Sequence, residues 1–280
     1  MPIPLEFTLG AETYSVTQSG TALRTAELLN LWAWFVAHPS QAEIKGDFEA
    51  MKNAIAAALP LWDKIAMTGE LQKVTVDTTF GSGAAESLEI ELELSGLVAE
   101  GLFREKIAVT GLALPAEVFP PWVPPLLPAD VSIDVAVDGF DLAAPARILL
   151  DELTPDSKPD PSQEERLLKA LLPDGAVRIT LAPGGAERSD HAVNWEGTMT
   201  AGPGLLPVGS GVLVVRGMDA ILTALNAAPA DVSQGAVPAL LMARGLAKPE
   251  DGDRLVWQFE SDGQGKVTVN GLDLSGLAAQ

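Results

Sequence analysis

The sequence predicts an α+β protein: a long, curved antiparallel β-sheet with helix pairs packed on its apolar face, built from about three strand-helix-helix-strand units. Three observations carry that prediction. Several strands alternate apolar and polar residues strictly, helix-period segments come in pairs between strands, and a glycine phrase recurs at strand ends. The phrase reads Val109-Thr-Gly-Leu-Ala-Leu114, Val137-Asp-Gly-Phe-Asp-Leu142, Val215-Arg-Gly-Met-Asp-Ala220 and Val269-Asn-Gly-Leu-Asp-Leu274. Glycine enters positive φ at no steric cost, so each copy marks a place where a strand turns, anchored by the apolar residues beside it.

Taken along the chain, the start at Met1-Pro-Ile-Pro-Leu-Glu-Phe lacks a basic stretch followed by an apolar one, and reads as the inside of a strand rather than a secretory leader. Thr21 to Ala37, rich in Leu, Trp and Phe, reads as a helix. His38 follows it, placed where a protonated imidazole complements the helix dipole. Ser40 and Glu43 form a capping box, each side chain satisfying one free backbone N–H. From there Ile44, Phe48, Met51, Ile55, Leu59, Trp62 and Ile65 recur at helical spacing as one stripe, with a kink or break expected at Pro60. Val74 and Val76 alternate with Lys73, Thr75 and Asp77 in a strand. Gly81-Ser-Gly83 leads into another strand rather than a helix, so it presents no helix N-terminus to a phosphate and reads as a hairpin turn.

In Leu88-Glu-Ile-Glu-Leu-Glu-Leu94, period two puts the apolar residues on one face and Glu89, Glu91 and Glu93 on the other. That carboxylate row reads as a solvated face paired with Lys73 or Lys106. The stretch Pro115 to Pro128 is too rich in proline for a helix or central strand and reads as an extended connector. Its Phe119, Trp122 and Val123 are the candidate ligand or partner contacts, although a stiff crossing that plugs one end of the core is the favoured reading of the same residues. Val131, Ile133, Val135 and Val137 alternate in the next strand. A second helix pair spans Ala143 to Leu153 and Gln163 to Leu172, the latter introduced by a capping box at Ser162 and Glu165. The carboxylates between Asp151 and Glu165 lack calcium-loop spacing. Val177, Ile179 and Leu181 form a strand, a third helix pair covers Met218 to Ala227 and Ser233 to Ala247, and Leu255/Trp257/Phe259 and Val267/Val269 close the series. Alternation on so many strands predicts an antiparallel sheet covered on one side only. Residues 1–128 hold the first unit, a meander and the connector; residues 129–280 hold two further units sharing the same sheet.

The function classes narrow by elimination. A formal charge of −20, from 38 acidic and 18 basic residues, repels nucleic acid phosphates, and no nucleic-acid partner is expected. The absence of cysteine removes disulfides and thiol chemistry. No apolar run reaches the ~18 residues of a membrane span. Ser189-Asp-His191 holds the residue types of a hydrolase triad, but adjacent residues rarely converge geometrically and a Gly-x-Ser-x-Gly elbow is missing. No catalytic residue, metal ligand or cofactor is assigned.

The run from Val109-Thr-Gly-Leu-Ala-Leu-Pro through Phe119-Pro-Pro-Trp122 to Phe140, with Leu171-Leu-Pro-Asp-Gly175, Met199-Thr-Ala-Gly-Pro203 and Val267 to Leu274, resembles a domain-of-unknown-function family of alphaproteobacterial envelope proteins. The strand-end phrase is similar, more distantly, to AsmA-type envelope proteins, whose curved sheets form grooves for lipid. The resemblance implies a periplasmic location and a C-terminal part of a longer exported protein, with Met1 an added start. The expected function is non-enzymatic: handling a hydrophobic ligand such as lipid, or acting as an envelope scaffold with an envelope protein partner. A purely structural or protein-interaction module is the alternative, and a hydrolase the third reading.

Overall fold

A computed structural model describes residues 7–79, 81–155 and 161–274. In chain order the elements are β1 (Phe7–Gly10), β2 (Thr13–Thr21), α1 (Thr25–Ala37), α2 (Gln41–Gly46), α3 (Phe48–Ala58), β3 (Lys64–Thr78), β4 (Gly81–Ser95) and β5 (Gly101–Thr110). After two single 3-10 turns in the proline connector come β6 (Asp130–Phe140), α4 (Ala143–Glu152), α5 (Pro161–Leu171), β7 (Val177–Glu187), β8 (Ala192–Ala201) and β9 (Val208–Arg216). The chain continues through α6 (Met218–Asn226), α7 (Ala230–Leu246), β10 (Lys248–Glu250), β11 (Arg254–Asp262), β12 (Val267–Val269) and β13 (Leu272–Asp273). The fold is α+β, and all thirteen described strands belong to one open antiparallel sheet in the order β1-β3-β4-β5-β6-β7-β8-β9-β11-β12-β13.

From β2 to β9 the sheet is a meander, each strand pairing with its neighbour in sequence. Its two edges are each shared by two short strands. β2 pairs with the first half of β3 and β1 with the second half. The changeover falls at Lys73, whose φ is +51° and whose ammonium meets Glu12 on the link between β1 and β2. At the other edge β10 and β12 take opposite ends of β11. Pairing runs unbroken across residues 128 and 129, since β5 and β6 are ladder partners.

Each helix group joins two strands that are antiparallel neighbours: α1–α3 between β2 and β3, α4–α5 between β6 and β7, and α6–α7 between β9 and the β10–β11 hairpin. Four antiparallel steps separate β2 from β6, so the first two groups leave the same end of the sheet. Three further steps reach β9, which sends α6–α7 to the opposite end. The densest core lies there, where Val215, Met218, Leu222, Trp257 and Val269 are buried against α7. The Trp257 indole donates to the Ala243 carbonyl at 2.8 Å, fixing α7 to the sheet.

The glycine phrase behaves as its sequence predicts. Gly111, Gly139, Gly217 and Gly271 all have positive φ, between 62° and 85°. In the last copy Asn270 joins Gly271 in the left-handed region, a pair that suits the tight β12–β13 hairpin. The Asn270 amide also donates to the carbonyls of Leu246 and Val256, at 2.8 and 2.9 Å.

Four expectations are corrected. The apolar stripe from Ile44 to Ile65 breaks where expected, α3 ending at Ala58 with Leu59 as its cap, but it also breaks at Asp47 between α2 and α3, and Ile65 belongs to β3. Three residues of the stripe therefore serve other elements, which periodicity alone cannot show. Helix α1 starts at Thr25 rather than Thr21, because Thr21 completes the β2 ladder opposite Lys64. Helix α5 starts at Pro161, two residues ahead of the expected Gln163. The Lys73 side chain pairs with Glu12 and not with the carboxylate row. The capping box of Ser40 and Glu43 and the placing of His38 after α1 agree with the structure; His38 Nδ1 lies 2.8 Å from the Trp34 carbonyl.

A Cβ at Gly217 would sit 2.1 Å from the Asp190 carbonyl oxygen, on top of a φ of +69°. Gly217→Ala is expected to cost roughly 2 kcal/mol or more. Leu222→Ala, in the buried cluster, is expected to cost about 2–5 kcal/mol. Urea unfolding followed by tryptophan fluorescence measures both.

Candidate functional site

Residues directly opposite one another in an antiparallel ladder share a face, so the register divides the sheet into two surfaces. One carries Leu88, Ile90, Leu92 and Leu94 of β4, Phe103, Ile107 and Val109 of β5, Val131, Ile133, Val135 and Val137 of β6, and Val177, Ile179 and Leu181 of β7. It continues through Val193, Trp195 and Met199 to Leu213, Val215, Leu255, Trp257 and Phe259. Only the α6–α7 end of this face is sealed. Between β4 and β7 every one of its apolar side chains is half-buried or exposed, with Leu94 38% and Ile133 39% accessible. The whole chain exposes 17314 Å². A compact monomer of 29.3 kDa exposes ~11,500 Å² by surface scaling.

The opposite face is polar and cross-linked. Arg104 makes a two-pronged contact with Asp134, at 3.0 and 2.7 Å, and lies 3.6 Å from Glu91. Lys106 meets Glu91 at 2.8 Å and Glu89 at 3.3 Å. Lys64 pairs with Glu93, and Arg178 with Asp138. The hydrogen bond from Lys106 holds the Glu91 carboxyl below its ordinary range, and the Arg104 fork does the same for Asp134. Lys106 and Arg104 are raised in turn by hydrogen bonds to Glu91 and Asp134. The expected row of carboxylates is thus a structural ladder satisfied by Lys106, as its sequence predicts.

One residue crosses to the wrong side. The run Arg104-Glu105-Lys106 puts three charges in a row, and a period of two forces the middle one onto the apolar face. Glu105 lies opposite Leu92 on β4 and Val135 on β6, with Phe103 and Ile107 two residues away on its own strand. It is exposed and makes no ion pair or hydrogen bond among the described residues. The charge run Arg104-Glu105-Lys106 is the signal that exposes it in the sequence.

Between Leu181 and Gly184 strand β7 carries a bulge, which lets Pro183 sit in a central strand without breaking a ladder bond. On the polar side the bulge adjoins two hollows of about 480 and 540 Å³ that share Pro183 and Glu196. On the apolar side Gly209 and Gly211 of β9 leave a gap beside Met199 and Phe259, with Gly197 opposite Gly211 in register. The resulting recess is about 200 Å³, walled also by Pro207 and Val267.

The predicted contact residues Phe119, Trp122 and Val123 are half-buried in the connector. The Arg188 guanidinium straps that connector by donating to the Pro124 and Leu127 carbonyls, both at 3.0 Å. None of the three lines the glycine recess, and the 3-10 turn that follows them packs against α6. In the Ser189-Asp190-His191 turn, His191 is buried and its Nδ1 lies 2.9 Å from Asp190. The Ser189 hydroxyl makes no hydrogen bond to either, so the three do not form a nucleophile relay in this conformation. Among the described residues no group of three or more His, Asp or Glu is arranged for a metal ion, and no described helix is long and apolar enough to cross a membrane. Compared with protein-family models, curated proteins and solved structures, the chain finds no match.

The lowered carboxyls Glu91 and Asp134 add stability that is complete above the unfolded carboxyl range of about pH 4 and is lost as pH falls through their folded values. The raised Lys106 adds stability that is complete below the unfolded lysine value of about 10.4 and is lost as pH rises through its folded value. These groups are largely solvated, so Lys106→Met is expected to cost no more than ~1 kcal/mol at pH 7. That deficit should shrink below about pH 4 as the partner carboxyls protonate, which urea midpoints across a pH series measure.

Proposed function

We propose that this chain is a non-enzymatic periplasmic protein that binds or handles a hydrophobic ligand such as lipid. The observation that carries the reading is the uncovered apolar face between β4 and β7, continuous with a recess of about 200 Å³. Contiguous exposed apolar surface on this scale marks an interaction site, and a dry apolar cavity of about 150 Å³ already accepts a benzene-sized ligand. The periplasmic placing rests on the sequence resemblance to envelope proteins. The three helix groups are read as copies of one strand-helix-helix-strand unit, supported by each bridging two neighbouring antiparallel strands; the third copy is inserted with reversed direction.

A second reading, an interaction module, is favoured by β2. All nine residues of Thr13–Thr21 are exposed, and the strand forms an edge without a charge or a proline. Natural edges usually carry such blocking features. The far edge has them, in Lys248-Pro249-Glu250 of β10.

Native mass spectrometry of protein purified without detergent tests the main reading. The expected result is a mass adduct that organic extraction removes and that Ile133→Asp diminishes. A clean apo mass, with no uptake of added lipid, overturns it. Under the second reading the chain self-associates or captures a strand through β2, and Val16→Lys abolishes the association seen by sedimentation velocity.

A further inference from the structure

The ladder register places the lone carboxylate and the glycine recess on one line across the sheet. Following paired residues, the row runs Glu105, Val135, Leu181, Gly197, Gly211, Phe259. Three strand spacings, about 14 Å, separate Glu105 from Gly197, and a fourth reaches Gly211. The track between them is purely apolar, formed by Val135 and Leu181. Beyond Gly197, Gly209 and Gly211 of β9 leave the face without side chains, and Met199 and Phe259 wall the gap.

We propose, building on the hydrophobic-ligand reading above, that this row is a binding track for a cationic amphiphile. Its ammonium group sits at Glu105 and its single hydrocarbon chain lies over Val135, Leu181 and Gly197 toward the recess at Gly209 and Gly211. The charge decides the class. Glu105 is the sole ionisable side chain on the apolar face of β4 between Leu88 and Leu94, of β5 between Phe103 and Val109, of β6 between Val131 and Val137, and of β7 between Val177 and Leu181. The cations beside it in sequence, Arg104 and Lys106, are engaged on the opposite face by Asp134, Glu91 and Glu89. An anionic head would meet an uncompensated carboxylate at this point, whereas an ammonium gains a charge-assisted hydrogen bond with apolar walls on every side. The glycines decide the direction of the chain. Toward β4 and β3 the row continues through Leu92 and Met67, which occupy the surface, whereas the recess lies on the β8–β9 side.

Isothermal titration calorimetry of the full chain with dodecylamine, dodecanol and dodecanoate, each below its micellar concentration, tests this at neutral pH. The amine is expected to bind roughly tenfold more tightly than the alcohol, with the acid weakest. Glu105→Gln should bring amine and alcohol to within about twofold of each other while the alcohol is unchanged. Gly211→Leu, which fills the recess, should weaken dodecylamine and leave butylamine unaffected. A Cβ there meets its nearest atom, the Glu196 carbonyl oxygen, at 3.2 Å, so the backbone accommodates the change with a small shift. If all three ligands bind with equal affinity and Glu105→Gln changes nothing, the cationic track is wrong while hydrophobic binding stands, and Glu105 only guards the face against aggregation. If none of the three binds, the hydrophobic-ligand reading fails with it.

Discussion

The constraint on which this molecule depends is that a strand has only two sides. A slip of one residue anywhere in the meander would carry a row of leucines and valines into the salt-bridge ladder and a row of carboxylates onto the apolar face. Register is therefore held by two penalties acting together, one for exposing hydrocarbon and one for burying charge. The Arg104–Asp134 fork and the Lys106 bridge to Glu89 and Glu91 pin β4, β5 and β6 from one side. Each pair contributes little by itself, since it is solvated. Their value lies in fixing which residues meet.

Helices contribute unevenly to that arrangement. At one end α6 and α7 build a true interior with Val215, Leu222 and Trp257, reinforced by Trp257 and Asn270 reaching helix carbonyls. At the other end Met51 and Ala58 are buried, yet Leu29, Trp32 and Val36 of α1 are 60%, 69% and 62% accessible. The middle of the sheet has no cover of its own. The same alternation that makes the strands legible thus produces more apolar surface than the helices remove from water.

Much of the architecture was legible because period two is a local signal. The strands around Ile90, Val135, Ile179 and Trp257 could be placed from alternation alone, and the turns from Gly111, Gly139, Gly217 and Gly271. The helix stripe after Ser40 is legible up to its break near Leu59, but Trp62 and Ile65 keep helical spacing while serving a loop and a strand, which only tertiary pairing with β2 and β4 reveals. The recess was hidden for a different reason. Gly209 and Gly211 open a gap only where Met199, Phe259 and Val267 of three other strands come alongside, and nothing local says that they will. Glu105 was hidden in plain sight, since a charged triplet reads as solvated until the ladder assigns each member a side. The reversal of the third helix group likewise follows from counting strands, not from the resemblance between its sequence and the second.

A meander also has a dynamic signature. Because each strand is held mainly by its sequence neighbours, the sheet behaves as a nearly linear array in which free energy is a sum of adjacent terms, as in repeat proteins. Opening can then proceed from a margin inward without dissolving the remainder. The β1–β2 margin has no dense interior beneath it, whereas the β9–β11 margin does. Amide hydrogen exchange would accordingly form a gradient along the array, slowest around Val215 and Trp257 and fastest at Thr13–Thr21, so the molecule carries an anchored flank and a yielding one.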